Sequence, residues 1–131
     1  MYFVANALGR RIEKLAIESW KKVDLSPSHA YLLMLAIEEP GIQPTGLSEQ
    51  LILTPSTITR LIEKLEDKGL VTRDNEGKLT KVYPTQKAKD MYPALQECLT
   101  HFIENYSNIL GKEESMRMVG NMACLADKLG D

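Results

Sequence analysis

Two helix starts fall only nine residues apart in this chain, at Thr45 and at Thr54-Pro55. A threonine before a proline marks a helix start because its side-chain oxygen can take up an N–H of the first turn, while the fixed φ of proline suits the first helical position. Two starts this close leave room only for a short helix through Leu47 and Leu51, a tight turn and a second helix. That second helix carries Ile58, Leu61, Ile62 and Leu65 at the i, i+3, i+4, i+7 spacing of a stripe that docks on a core. It ends at Lys68-Gly69, where glycine suits the left-handed position just past a helix. The centre of the chain is therefore predicted to be a helix-turn-helix.

The flanking segments extend that unit. Residues 1–22 place Leu8, Ile12, Leu15, Ala16 and Trp20, followed by Val23, at spacings of three and four, one stripe of a helix. In Leu25-Ser26-Pro27-Ser28, Ser26 reads as a cap and Pro27 as the first position of a helix running through Tyr31, Leu32, Leu35 and Ala36 to Pro40-Gly41. Apolar on most faces, it is predicted to be the buried centre. After Gly69 the period changes. Residues 70–73 and 79–83 are short β-prone runs joined by the polar residues 74–78, which predicts a hairpin. Thr85 then caps a long helix marked by Ala88, Met91, Leu95, Leu99, Phe102 and Tyr106, which Pro93 is expected to kink or restart. Gly111 ends it, and residues 112–129 form a last helix with Met118, Met122, Leu125 and Leu129 on one side. The expected fold is mainly α with a small β-hairpin wing. It is a winged helix-turn-helix, residues 25–89, flanked by N- and C-terminal dimerisation helices, residues 1–24 and 90–131, in a single domain.

A net charge of −2 conceals an uneven distribution. Residues 55–89 hold eight Lys or Arg and five Asp or Glu, net +3, whereas residues 90–131 hold three and seven, net −4. A polyanion responds to the local surface rather than to the chain average. With Ile58, Leu61, Ile62 and Leu65 docked, the other face of their helix presents Ser56, Thr57, Arg60 and Lys64, with Thr59 beside them. Short hydroxyl side chains at a helix start suit entry into a DNA major groove, where they can bond phosphates or base edges. Arg60, one turn on, can take a guanine edge in a bidentate fork or hold a phosphate. In the hairpin, Arg73, Lys78 and Lys81 are candidates for the minor groove or its phosphates. Taken singly, each hydroxyl is an ordinary capping residue and each loop charge a solvated one; their convergence points to double-stranded DNA.

Residues 55–71, Pro-Ser-Thr-Ile-Thr-Arg-Leu-Ile-Glu-Lys-Leu-Glu-Asp-Lys-Gly-Leu-Val, closely resemble the recognition-helix stretch of the MarR family of regulators. Residues 25–28 resemble that family's second-helix start, and Gly46-Leu47-Ser48-Glu49-Gln50-Leu51 its short third helix. The resemblance implies a dimeric DNA-binding regulator, usually a repressor of a nearby gene, often released by a small phenolic or anionic ligand. The wing departs from the pattern. Where the family commonly has Asp-x-Arg and then Val-x-Leu-Thr, this chain has Glu76-Gly77-Lys78 and Val82-Tyr83-Pro84-Thr85. Lysine lacks the rigid planar fork with which arginine fits a narrow minor groove.

The first helix and the last two carry more apolar stripe than a winged helix of about 60 residues can cover, and exposed stripes of that size mark an interface. A homodimer is expected, with two recognition helices about one DNA turn apart, roughly 34–36 Å. An effector pocket, if one exists, is expected between the dimerisation helices and the DNA-binding unit, with Trp20, His29, Tyr31 and Met34 as candidates to line it. Each of these also reads as ordinary core or surface.

Other classes find little support. Cys98 and Cys124 lie apart, with no His at ligand spacing, so no metal site is expected. A redox role for either thiol has no neighbouring group to favour it, since Glu97 would raise the pKa of Cys98. No catalytic triad, phosphate loop or dinucleotide fingerprint appears, so neither enzyme nor cofactor is expected. The longest apolar run, residues 30–37, is too short for a bilayer, and the N-terminal residues do not read as a secretory signal, so a cytoplasmic protein is expected. The competing class is a winged-helix module that binds protein rather than DNA; such a module has no reason to gather Arg60, Lys64, Arg73 and Lys78 around one helix.

Overall fold

A computed structural model describes residues 1–75 and 77–130. The wing motif residue Glu76 lies outside them. The elements are α1 (Tyr2–Trp20) with a 3-10 turn (Lys21–Val23), α2 (Pro27–Glu38), α3 (Pro44–Leu51), α4 (Pro55–Asp67), β1 (Val71–Asp74), β2 (Lys81–Pro84), α5 (Gln86–Leu110) and α6 (Lys112–Leu129). This is the expected winged helix-turn-helix with helical extensions at both ends. The chain packs as two units, one formed by residues 20–98 and the other by residues 1–19 with 99–131.

Within the first unit, α2 is the buried centre, with Ala30, Leu32, Leu33, Met34 and Ala36 all inside. Ser26 caps it by accepting from the His29 N–H at 3.3 Å. The predicted stripe of α4 is buried in full, and α4 packs against both α2 and α3. Truncating any one of these four side chains to Ala removes roughly 2–5 kcal/mol, so the stripe fixes which face of α4 remains for other partners.

Two local expectations are corrected, and a third is narrowed to exclude a restart at Pro93. The short helix begins at Pro44 with Gln43 as its cap residue, not at Thr45, because proline itself fixes the first turn. The strands sit one to two residues later than expected, with Val71 opposite Pro84 and Asp74 opposite Lys81. Pairing sets those ends, and Ile42 adds a bridge to Val82 that draws β2 toward the core. Pro93 lies inside α5, which continues as one helix from Gln86 to Leu110.

The turn between α3 and α4 runs through Ile52, at φ 56° and ψ 49° and 72% exposed. A β-branched residue in the left-handed region carries a steric cost of about 1–2 kcal/mol, and an exposed Ile recovers little of it by packing. Ile52→Asn is expected to stabilise the protein by about 1 kcal/mol, read as a higher urea midpoint at unchanged slope. An unchanged or lower midpoint would show that the turn is not strained.

The second unit has a thin interior, including Ala16, Phe102 and Ser115. Ser115 turns its hydroxyl inward to donate to Gly111 O at 2.7 Å, and Phe102 meets Tyr106 edge to face. Much apolar surface stays outside: Tyr2, Phe3 and Val4 on α1, and Met116, Val119, Met122, Leu125 and Leu129 on α6. Among the described residues no helix is long and apolar enough to cross a membrane.

Candidate nucleic-acid interface

Docking of its apolar stripe leaves α4 with an outward face. Ser56, Thr59, Arg60 and Lys64 are exposed on it and Thr57 is half-buried. Thr54 holds the cap position, yet its side chain makes no bond to the backbone of the first turn. It pairs instead with the Thr57 hydroxyl at 3.0 Å and lies 3.4 Å from that of Ser56. The first N–H groups of α4 thus keep their capacity for an anion, in line with the helix dipole.

The hydroxyls are not equivalent. Thr59 donates to Pro55 O at 3.0 Å, leaving only its lone pairs for an incoming partner. Thr57 accepts from Arg60 Nη2 at 3.5 Å, a long contact that inclines the guanidinium toward the start of the helix. Arg60 and Lys64 follow one turn apart on the exposed face. Behind α4, burial and then the charges of Lys68 and Lys64 hold His29 below the usual histidine range. A neutral His29 ring can accept from the Ser26 hydroxyl, with which its Nδ1 is bonded.

The hairpin is fastened at its base. Gly41, at φ 90°, donates to Val82 O at 2.8 Å. A Cβ at Gly41 would come within 3.3 Å of the Tyr83 hydroxyl, so both the space and the backbone there favour glycine. Thr85 donates to Gly69 O at 2.8 Å and accepts from the Ala88 N–H at 3.3 Å, tying the end of α4 to the start of α5. Lys87 Nζ adds a bond to Lys68 O at 3.0 Å. Thr80 donates to Asn75 Oδ1 at 3.0 Å, bracing the loop. Lys78 and Lys81 are exposed beyond these ties. Arg73 is different: its Nη2 lies 2.7 Å from Glu66 Oε1 on α4. Sequence reasoning missed this partner, although alternation along β1 puts Arg73 on the same side as the buried Val71.

The four candidate effector residues all lie in the unit of residues 20–98. Trp20 and Met34 are buried, His29 is half-buried, and Tyr31 packs on Trp20 with ring centroids 5.0 Å apart. A separate open cleft of about 330 Å³ is lined by Leu25, Leu70 and Met91 with Lys68 and Lys87 at its edge. Burial pushes the Cys98 thiol up, away from the thiolate form. Lys22 and Glu97 meet at 2.8 Å beside it on an exposed surface.

Residues 25–76 match the model of the MarR family. YybA of Bacillus subtilis (strain 168), an uncharacterized HTH-type transcriptional regulator, is 29% identical over 100 residues, which span 74% of this chain and 67% of that protein. The S. aureus MepR–DNA complex shares the fold with a TM-score of 0.79 at 17% identity, over 98% of this chain and 96% of that one. The repressor CouR of Rhodococcus jostii RHA1, bound to p-coumaroyl-CoA, gives a TM-score of 0.82 at 17% identity, over 95% and 90%. At these identities the structures speak for the fold, while the sequence matches and the quoted recognition-helix residues speak for the family. Over residues 25–76 the chain is similar to the MarR family of transcriptional regulators, and nearly its whole length is similar in fold to solved members of that family.

Proposed function

We propose that the protein is a repressor that binds an inverted-repeat operator as a homodimer, inserting the start of α4 into the major groove. The observation that carries this is the division of α4 into a fully docked apolar face and an exposed face bearing Ser56, Thr59, Arg60 and Lys64. Thr57 orients Arg60, and Lys78 and Lys81 track the backbone from the wing. A homodimer places two such helices on one face of the duplex, with the exposed apolar residues of α1 and α6 as its contact surface. Selection of bound duplexes from random DNA tests this directly: an inverted repeat is the expected product, and an unstructured or absent consensus would overturn it.

At the wing a lysine in place of arginine favours phosphate contact over shape readout, since its ammonium is a hydrated point charge. Each phosphate contact contributes about 0.9 to the slope of log affinity against log salt. Lys78→Ala is expected to weaken binding to operator and scrambled duplexes alike and to flatten that slope by about one unit. Loss on the operator alone at unchanged slope would instead assign Lys78 to sequence or shape.

Release by a small-molecule effector belongs to the same proposal, supported by the p-coumaroyl-CoA bound to the structurally similar CouR. Trp20, His29, Tyr31 and Met34 are the candidate contacts. Trp20 is the chain's single tryptophan, so its fluorescence during titration with aromatic acids and their thioesters reports on this region. Unchanged fluorescence, with DNA binding also unaffected, would remove these ligands and these residues together.

A further inference from the structure

Glu66 and Arg73 pair at 2.7 Å across the joint between α4 and the wing, with side chains only 30% and 34% exposed. We propose that this pair is a strut that sets the angle of the wing against α4, so that Glu66 and Arg73 are positioning residues for DNA binding; this rests on the interface proposed above. Glu66 stands on the last turn of α4, and Arg73 is the third residue of β1, opposite Val82. The intervening chain turns at Gly69, at φ 72°. The other ties at the joint, Leu70 N–H to Leu65 O at 2.9 Å and Thr85 to Gly69 O, sit at the base of the hairpin. Glu66 and Arg73 brace it further out.

Leverage gives the brace its effect. Three residues of extended strand measure about 10 Å, so a tilt of about 10° at the joint moves the tip by roughly 2 Å. A displacement of that size is enough to break a hydrogen bond to phosphate. Lys78 and Lys81 therefore depend on a pair that need not touch DNA itself. The partly shielded carboxylate also accounts for an acidic residue near a surface that should bind a polyanion: its charge is spent on Arg73.

The strut makes a prediction opposite in sign to simple electrostatics. Removing a negative charge near DNA should tighten binding, yet Glu66→Gln in the full chain is expected to weaken it about three- to fivefold, the scale of a partly exposed ion pair. Arg73→Gln should match it, the double variant should be no worse than either single one, and the charge-reversed pair Glu66→Arg with Arg73→Glu should recover most of the loss. In a background lacking both wing lysines, Lys78→Ala with Lys81→Ala, Glu66→Gln should have little further effect, which a general loss of stability would not reproduce. The probes are a duplex recovered by selection and its scrambled counterpart. Amide exchange across β1 and β2 in the free protein should quicken in Glu66→Gln while the rest of α4 is unchanged. Binding by Glu66→Gln as tight as the unaltered chain or tighter, with a lower salt slope in Arg73→Gln, would make Arg73 a phosphate ligand and overturn the strut alone. An unaltered chain that binds neither duplex would overturn the interface and the proposal with it.

Discussion

With Met122→Glu and Leu125→Glu introduced together, the protein is expected to sediment as a monomer at micromolar concentrations where the unaltered chain is expected to sediment as a dimer. Both positions lie on one side of α6, and both are already exposed in the single chain, Met122 at 38% and Leu125 at 48%. Neither side chain belongs to the fully buried core of the protomer, so the new carboxylates can reach solvent and helicity should be retained. In a two-fold interface each change counts twice, so four apolar side chains are lost. At about 1.5–3 kcal/mol for each side chain fully buried, even half the lower total weakens association by about two orders of magnitude. Four carboxylates in place of those groups add a desolvation cost. The monomer should also lose cooperative binding to an inverted repeat while keeping weak, salt-sensitive affinity for any duplex. A variant that sediments as the dimer would place the interface elsewhere, and a monomeric unaltered chain would remove the dimer from the proposal.

Most of the fold could be read from the residues, because the decisive signals are local. Ser26-Pro27 and Thr54-Pro55 mark their helices by backbone chemistry that needs no tertiary partner, and Gly69 and Gly111 do adopt the positive φ their places demand. The outward face of α4 followed by elimination once Ile58, Leu61, Ile62 and Leu65 were assigned inward. Where the expectation failed, a distant partner decided. Ile42 bridges Val82 across forty residues and shifts the strand ends, which no window of β propensity can register. Pro93 does not restart α5; the carbonyl deprived of its donor, that of Lys89, belongs to an exposed stretch where water can serve. At the interface the residue types were legible but their commitments were not. Thr59 and Thr57 looked alike in sequence, whereas one bonds to Pro55 O and the other to Arg60. Arg73 looked like a free cation until the turn after α4 brought it to Glu66.

Arg60→Ala is expected to lower affinity for the selected operator by about 1–3 kcal/mol, roughly five- to 150-fold, while leaving the fold intact. Arg60 is exposed on the side of α4 opposite the docked stripe, so its loss opens no cavity. Its only described bond is the 3.5 Å contact to Thr57, weak enough to yield when a base edge offers two better acceptors. Specificity should suffer more than general attraction: the scrambled duplex loses one charge contact at most, whereas the operator loses a bidentate pair. Arg60→Lys separates the two contributions. Lysine keeps the charge but not the fork, so it should preserve affinity for scrambled DNA and fail to restore the operator. Thr57→Val should reproduce a fraction of the Arg60→Ala loss, and Thr57→Ser, which retains the acceptor, should not. If Arg60→Lys binds the operator as well as the unaltered chain at matched salt, Arg60 holds a phosphate and sequence is read by the hydroxyl residues at the start of α4.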